Sequence, residues 1–297
     1  MPAKILKGTK VAKSAEAEMS VRAAELTAAF MPPRLAIVRI GERPDDGAYE
    51  RGAKKRCEAV GIVCETRHFD QDINNTRFLR EFEQINNDDS VHGILVMSPM
   101  PDSIDRAAVA ATIDPVKDVD CISPVSISKL YSGDFTGHAP CTPSAVLEIL
   151  RYYGIPVFGS RITVIGRSLV VGKPLSMLLL ADHATITICH TRTVDLAGEC
   201  RRADILIAAA GNAGLVGADF IKPGAAVIDV GINVMPDGSL CGDVIFGEAC
   251  EIAGCITPVP GGVGAVTTSM LVRNTLDACE KIRRRLLAAN SAVPYAF

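Results

Sequence analysis

Apolar and polar positions recur along this chain in two rhythms, and each change of rhythm marks a new element. PRLAIVRIG (33–41) is a β-rich apolar run, and AYERGAKKRCEAVGI (48–62) follows it with helical spacing. GIVCETRHFD (61–70) reads as a second strand, NNTRFLREFEQINND (74–88) as a helix and VHGILVMSPMP (91–101) as a third strand ending in prolines. Strand and helix in alternation predict parallel pairing with crossover helices. The polar passage YSGDFTGHAPCTPS (131–144), rich in turn residues, marks a seam between domains. SAVLEILRYYG then carries a helical period that ends at Gly154, a glycine suited to a C-cap.

Beyond the seam a second, more apolar alternation begins. RITVIG (161–166) is a strand, and PLSMLLLADH opens a helix with Pro174 in its first turn. TITICHT (185–191), ADILIAAAG (203–211) and AAVIDVGIN (225–233) read as further strands. The tail TSMLVRNTLDACEKIRRRLLAA is a long amphipathic helix with Met270, Leu271, Leu276, Cys279 and Ile282 on its apolar side. The start, MPAKILKGTKVAKSAEAEMS, spaces its lysines and alanines like another amphipathic helix.

Length and charge narrow the classes. A chain of 297 residues fits two domains, and 48% hydrophobic with 22% charged residues is ordinary for a soluble protein. A net charge of −3 provides no general pull toward nucleic acid or an anionic membrane. The IRRRLL cluster is a solvated helix end that suits the macrodipole. No segment approaches the roughly 18 unbroken apolar residues of a membrane span. The first residues lack the apolar run of a secretory signal, and Glu16, Glu18 and the lack of arginine before Arg22 argue against a transit peptide. The ten cysteines form no C-x-x-C pair, and Cys189 and His190 on one strand point to opposite faces. Reduced thiols in a cytosolic protein, with no metal site, are the expectation.

VIGRSLVVGKP (164–174) is the most informative short motif. A strand stops at Gly166 and a helix starts near Pro174, so unpaired helix N–H groups and glycine-permitted close approach stand where a pyrophosphate fits. The spacing departs from the usual dinucleotide fingerprint, and a purely structural strand–turn–helix reads the same way. The end of the next strand tips the balance. His190-Thr191-Arg192 offers a hydroxyl and a guanidinium where NAD-binding units place a carboxylate, and the first carboxylate is Asp195. With Arg167 in the preceding loop, this pattern favours NADP over NAD.

Taken together and in order, Tyr49 with Gly61-Ile62, PVKDVDC (115–121), CTPSAV (141–146), VIGRSLVVGKP, CHTRT (189–193), DVGIN (229–233) and ITPVPGGVGAVT (256–267) resemble one family, the cytosolic methylenetetrahydrofolate dehydrogenase/methenyltetrahydrofolate cyclohydrolases. The resemblance runs from the first helix to the last. It implies an α/β fold of two αβα domains: a folate-facing domain (1–139 plus 267–297) and a Rossmann-like NADP-binding domain (140–266), with the active site in the cleft between them. It also implies a homodimer and a tetrahydrofolate substrate. Tyr49 matches the aromatic that stacks on the folate, and Asp120 the carboxylate that hydrogen-bonds the pterin; these two are the catalytic assignments. Pro260, Gly261 and Gly262 match the wall of the folate site. Gly166, Arg167, Ser168, Thr191 and Ile232 match nucleotide contacts, joined by Arg192 on its charge. Without the resemblance, a core tyrosine and a turn or cap aspartate would describe Tyr49 and Asp120 at least as well.

Two departures stand out. In the family a lysine follows the tyrosine by four residues, one turn along the same face; here that residue is Ala53. Lys54 is turned about 100° from that direction, and Lys55 lies well off the face. Arg56 returns to it, but a guanidinium does not deprotonate in proteins and so cannot be a base. The family's V-Q-L-P-L after the third strand is VMSPM here, so Met97 replaces an amide in the substrate site. Cys121 for glycine and Ala265-Val266 for Pro-Met are smaller changes.

Hydride loss needs no protein base, because the neighbouring nitrogen's lone pair forms the iminium as hydride leaves. Hydrolysis of the methenyl cation needs a proton shuttle, a contribution of about 10²–10⁴-fold. The expectation is an NADP-dependent dehydrogenase with weak or absent cyclohydrolase activity. The alternatives are the full bifunctional enzyme acting through Lys54, a non-catalytic folate- or nucleotide-binding protein, and a dehydrogenase of shikimate type.

Overall fold

The structure, a computed structural model, describes residues 2–291. Along the chain run β1 (Lys4–Ile5), α1 (Gly8–Ala29), β2 (Arg34–Ile40), α2 (Pro44–Val60), β3 (Val63–Phe69), α3 (Asn75–Asn87), β4 (Gly93–Val96), α4 (Arg106–Thr112), α5 (Pro124–Ser132) and α6 (Cys141–Tyr152). Then come β5 (Arg161–Ile165), α7 (Gly172–Ala181), β6 (Thr185–Cys189), α8 (Leu196–Cys200), β7 (Ile205–Ala208), β8 (Ala226–Asp229), β9 (Asn233–Val234), β10 (Leu240–Cys241), α9 (Phe246–Ile252), β11 (Cys255–Ile256) and α10 (Gly264–Ser291).

The chain divides into two compact units. One comprises 15–139 and 271–297, the other 1–14 and 140–270. The expected domain of 1–139 is corrected at its start. Residues 4–5 form a strand, not helix, because they pair in parallel with Cys255 and Ile256 at the edge of the other unit's sheet. Gly8 then lies so close to the Gly262 carbonyl that a Cβ there would collide with it.

In the first unit three parallel strands stand in the order β3-β2-β4. One face, with Ala36, Val38, Ile40, Ile94 and Val96, packs on Phe78 and Phe82 of α3 and Val109 of α4. Burying large side chains such as these contributes about 1.5–3 kcal/mol each, which fixes the register of the sheet. α3 begins where the Asn74 side chain accepts from the Arg77 N–H.

The second unit is a six-stranded sheet in the order β1-β11-β8-β7-β5-β6, parallel throughout. The near-continuous apolar strands β5, β7 and β8 are buried, as a sheet covered on both faces requires. Chain order runs outward from β5 to β6 and then back through β7 to β8, so β5 is the topological switch point and its C-terminal end borders the crevice where such sheets bind ligands. The C-cap of α6 is Tyr153, one residue before the expected Gly154, which at φ 68° is the left-handed residue that turns the chain away. No helix among the described residues is long and apolar enough to cross a membrane.

Candidate functional site

The candidate residues fall into two groups, one in each unit. In the six-stranded unit β5 runs into Gly166, whose φ of 124° is open to glycine. Its N–H donates to the Cys189 carbonyl at 2.8 Å, tying the loop to the end of β6. A Cβ on Gly166 would strike the carbonyl of Ala209, and one on Gly172 would strike the carbonyl of Gly166. Both glycines are therefore demanded by close backbone approach. Ser168 works within the loop: its Oγ accepts from the Val171 N–H at 3.1 Å and its carbonyl from the Lys173 N–H at 3.1 Å. Arg167 and Ser168 are exposed beside the first turn of α7, which has no side-chain cap. This glycine-lined cradle fits a pyrophosphate.

The next strand end is built by its own turn. The His190 N–H donates to Thr193 Oγ1 at 2.8 Å, and the Arg192 N–H to His190 Nδ1 at 3.1 Å. That leaves Thr191 and Arg192 exposed at the end of β6, next to the Gly166 loop. Asp195, the first carboxylate beyond them, is occupied in capping α8, where it accepts from the Gly198 N–H at 3.1 Å. No carboxylate of the strand end opposes a 2′-phosphate.

Ile232, Pro260, Gly261 and Gly262 meet in a cavity of 290 Å³, lined also by Asp229 and Leu240. Ile232 is 60% exposed, consistent with a side chain meant for a ligand and not for the core. Two carboxylates behind this region were not foreseen. Asp229 Oδ1 accepts from the N–H groups of Gly231 and Asp243, and its Oδ2 from Val244 N–H, each at 3.0 Å. Burial raises Asp229 to about 6 despite these donors, and Asp243 adds like-charge repulsion. Asp243, fully buried, accepts from the N–H groups of Ala210, Gly211 and Asn212 and from Asn233 Nδ2, at 2.7–3.0 Å. An acid inside the apolar run AAVIDV, with no basic residue near it in sequence, was the available signal.

In the three-stranded unit Tyr49 is half-buried on α2 and Ala53, one turn on, is fully buried. The basic residues around them have other employment. Lys54 Nζ donates to Glu50 Oε1 at 2.6 Å, and Arg56 pairs with Glu16 at 2.6 Å. Glu50, 8% exposed, also accepts from Arg39 at 3.0 Å and Thr66 Oγ1 at 2.5 Å. Burial opposes its ionisation, but Lys54, Thr66 and Arg39 together hold the carboxyl below its ordinary range. Lys54 is thus turned toward β3 by a stable partner.

Met97 lies just past β4, its N–H donating to the Val38 carbonyl at 2.9 Å. The PVKDVDC segment runs parallel beside β4 through an Ile94–Asp118 bridge, so Asp120 and Met97 both lie beyond that bridge in the strand direction. The loop is held by neighbours of Asp120. Asp118, fully buried, accepts from the Ile122 and Ser123 N–H groups at 2.9 and 2.8 Å, and Lys117 Nζ donates to the carbonyls of Asn86 and Asp88 at 2.7 and 2.8 Å. Asp120 itself is half-buried. Cys121 has φ 58°, the left-handed region that favours glycine. Burial, with Asp118 and Asp120 nearby, pushes its thiol up to about 12, so it is no nucleophile.

Comparison with known proteins matches residues 6–120 to the tetrahydrofolate dehydrogenase/cyclohydrolase catalytic domain and 140–283 to the NAD(P)-binding domain of the same family. The bifunctional protein FolD of Carboxydothermus hydrogenoformans is 49% identical over 277 residues, covering 93% of this chain and 96% of the relative. The bifunctional FolD enzyme of Campylobacter jejuni, methylenetetrahydrofolate dehydrogenase/cyclohydrolase, superposes with a TM-score of 0.91 at 36% identity, over 94% of this chain and 99% of that one. A Trypanosoma brucei methylenetetrahydrofolate dehydrogenase-cyclohydrolase, solved with NADP and an inhibitor, gives 0.90 at 37% identity, over 96% and 99%.

Proposed function

The chain belongs to the tetrahydrofolate dehydrogenase/cyclohydrolase family, and from that premise we propose that it oxidises 5,10-methylenetetrahydrofolate with NADP while hydrolysing the methenyl product slowly or not at all. The observation that carries the second half is the surround of Tyr49: a fully buried alanine one turn on, with the adjacent lysine bonded to Glu50. Tyr49 offers a flat face to the pterin, and the Asp120 carboxylate suits the N–H donors of its amino-pyrimidine edge. Pro260, Gly261 and Gly262 wall the folate, and Met97 presents a thioether where a hydrolytic site would use an amide. Gly166, Arg167 and Ser168 receive the pyrophosphate; Thr191 and Arg192 receive the 2′-phosphate; Ile232 packs against the nicotinamide end. The dinucleotide, when bound, supplies the hydride acceptor. The protein's part in that step is to orient two flat rings, and no side chain has to take a proton. We further propose a cytoplasmic homodimer.

The second reading, a full bifunctional enzyme, is favoured by the name of the 49% identical relative. The near-ultraviolet absorbance of the methenyl cation separates the two. With methylenetetrahydrofolate and NADP, the signal is expected to accumulate and decay at the buffer rate, unchanged in Lys54→Ala. In Ala53→Lys combined with Met97→Gln, decay is expected to accelerate by about 10²-fold or more. Rapid enzymatic decay in the unmodified protein, abolished by Lys54→Ala, would establish the bifunctional reading instead. Absence of folate-dependent NADP reduction would leave a binding protein.

A further inference from the structure

Asp243 sits behind the turn that follows β7, and its position needs a reason. A buried carboxylate facing no cation is costly, and folds keep one only where several donors converge on it. Here the three successive N–H groups of Ala210, Gly211 and Asn212 all point inward to Asp243, at 2.7, 3.0 and 2.9 Å, while the residues themselves are exposed. These peptides are trans, since the cis bonds lie at Ser98-Pro99 and Val259-Pro260. In a trans peptide the carbonyl of the preceding residue points opposite to the N–H. The carbonyls of Ala209, Ala210 and Gly211 are therefore turned away from Asp243, and that of Ala209 lies directly against Gly166 at the end of β5. The same carboxylate holds Asn233, directly after Ile232, through Nδ2 at 3.0 Å. Asp229 in turn fixes the Asp243 backbone N–H at 3.0 Å.

The two sides of the crevice thus differ in kind. The Gly166–Gly172 side carries the glycine-lined start of α7 and the exposed Arg167, which suit phosphate. The β7 side presents carbonyl oxygens, which repel phosphate and accept from amide and hydroxyl donors. We propose that Asp243 is a positioning residue for the nicotinamide end of the dinucleotide, holding an acceptor wall of Ala209, Ala210 and Gly211 carbonyls for its carboxamide and ribose donors. The proposal rests on the reading that NADP binds this unit. With the adenosine 2′-phosphate at β6 and the pyrophosphate over β5, strand order alone carries the other end of the molecule toward β7 and β8.

Calorimetric binding to the full chain tests this with three probes: NADP, adenosine 2′,5′-bisphosphate, and the 3-acetylpyridine analogue of NADP, in which a methyl replaces the carboxamide NH₂. In the unmodified protein the analogue is expected to bind about three- to tenfold more weakly than NADP, the equivalent of one hydrogen bond. In Asp243→Asn, whose amide N–H would face an N–H donor, NADP is expected to weaken about tenfold. Adenosine 2′,5′-bisphosphate is expected to bind as before, and the analogue's penalty to vanish. Asp243→Glu should recover part of the NADP affinity. Equal binding of NADP and the analogue by the unmodified protein overturns the proposal without any variant being needed. So does a variant that loses both NADP and the bisphosphate, or neither. Failure of the unmodified protein to bind any of the three would instead count against the nucleotide reading itself.

Discussion

The proposed loss of hydrolysis rests on single residues. Ala53 puts a fully buried methyl group one turn from Tyr49, and the adjacent Lys54 bonds Glu50 at 2.6 Å. Cofactor choice is decided just as locally. Thr191 and Arg192 are exposed at the end of β6, and Asp195, which might have bound a ribose diol, caps α8. A guanidinium–phosphate bond contributes about 1.5–3 kcal/mol. Arg192→Ala is therefore expected to raise KM for NADP by about ten- to a hundredfold while leaving KM for NAD within about twofold, read from initial rates with each cofactor. Equal effects on both would show that Arg192 does not contact the 2′-phosphate.

At the scale of elements, the PVKDVDC loop shows how a flexible-looking sequence becomes a rigid platform. Asp118 and Lys117 bond only backbone, so they fix where Asp120 stands and force Cys121 to φ 58°. Asp118→Ala would leave the N–H of Ser123, itself 1% exposed, without its acceptor. The expected cost is about 3 kcal/mol in urea unfolding, with a raised KM for folate. A loss below about 1 kcal/mol would mean that the loop is held by other contacts. The long periodic elements, β2 to β4 and β5 to β8 with α3, α6 and α10, were legible because each buries a whole face of its own. β1 was not, because two residues carry no period and its partner β11 lies some 250 positions away. The β9–β10 hairpin and the short helices α4, α5, α8 and α9 escaped for the same reason. Motifs picked out the candidate site residues proposed above. Asp229 was signalled only by being an acid in an apolar run, and Asp243 by nothing, since what both hold is backbone N–H.

Across the whole molecule, one buried group in each unit responds to acid in the direction opposite to the other. His92, fully buried between β2 and α1 contacts, accepts the Arg34 N–H on Nδ1 at 3.0 Å and meets the Phe30 ring edge at 5.9 Å. Burial, reinforced by Lys117 and Arg34, lowers it to about 4. Its folded value lies below the unfolded one near 6.5, so the unfolded chain binds the proton first. The stability it contributes is present above about 6.5 and is lost as pH falls toward 4. Asp229 in the other unit is raised to about 6, so its contribution is fully present below the unfolded value near 3.9 and lost as pH rises through 6. Between pH 7 and pH 5, then, the three-stranded unit loses about 2 kcal/mol through His92, and the six-stranded unit gains about 1 kcal/mol through Asp229. Global unfolding blurs these together, but hydrogen exchange resolved by segment and corrected for intrinsic rates does not. Protection at pH 5 is expected to fall in β2 and β4 and to rise in β7 and β8. His92→Asn, which keeps an acceptor for the Arg34 N–H but cannot titrate, should reduce the fall to what the buried His138 contributes, its ring also lowered by burial, and leave the rise. A parallel fall in both units, or a fall undiminished by this substitution, would mean that acid acts through other groups and not through His92 and Asp229.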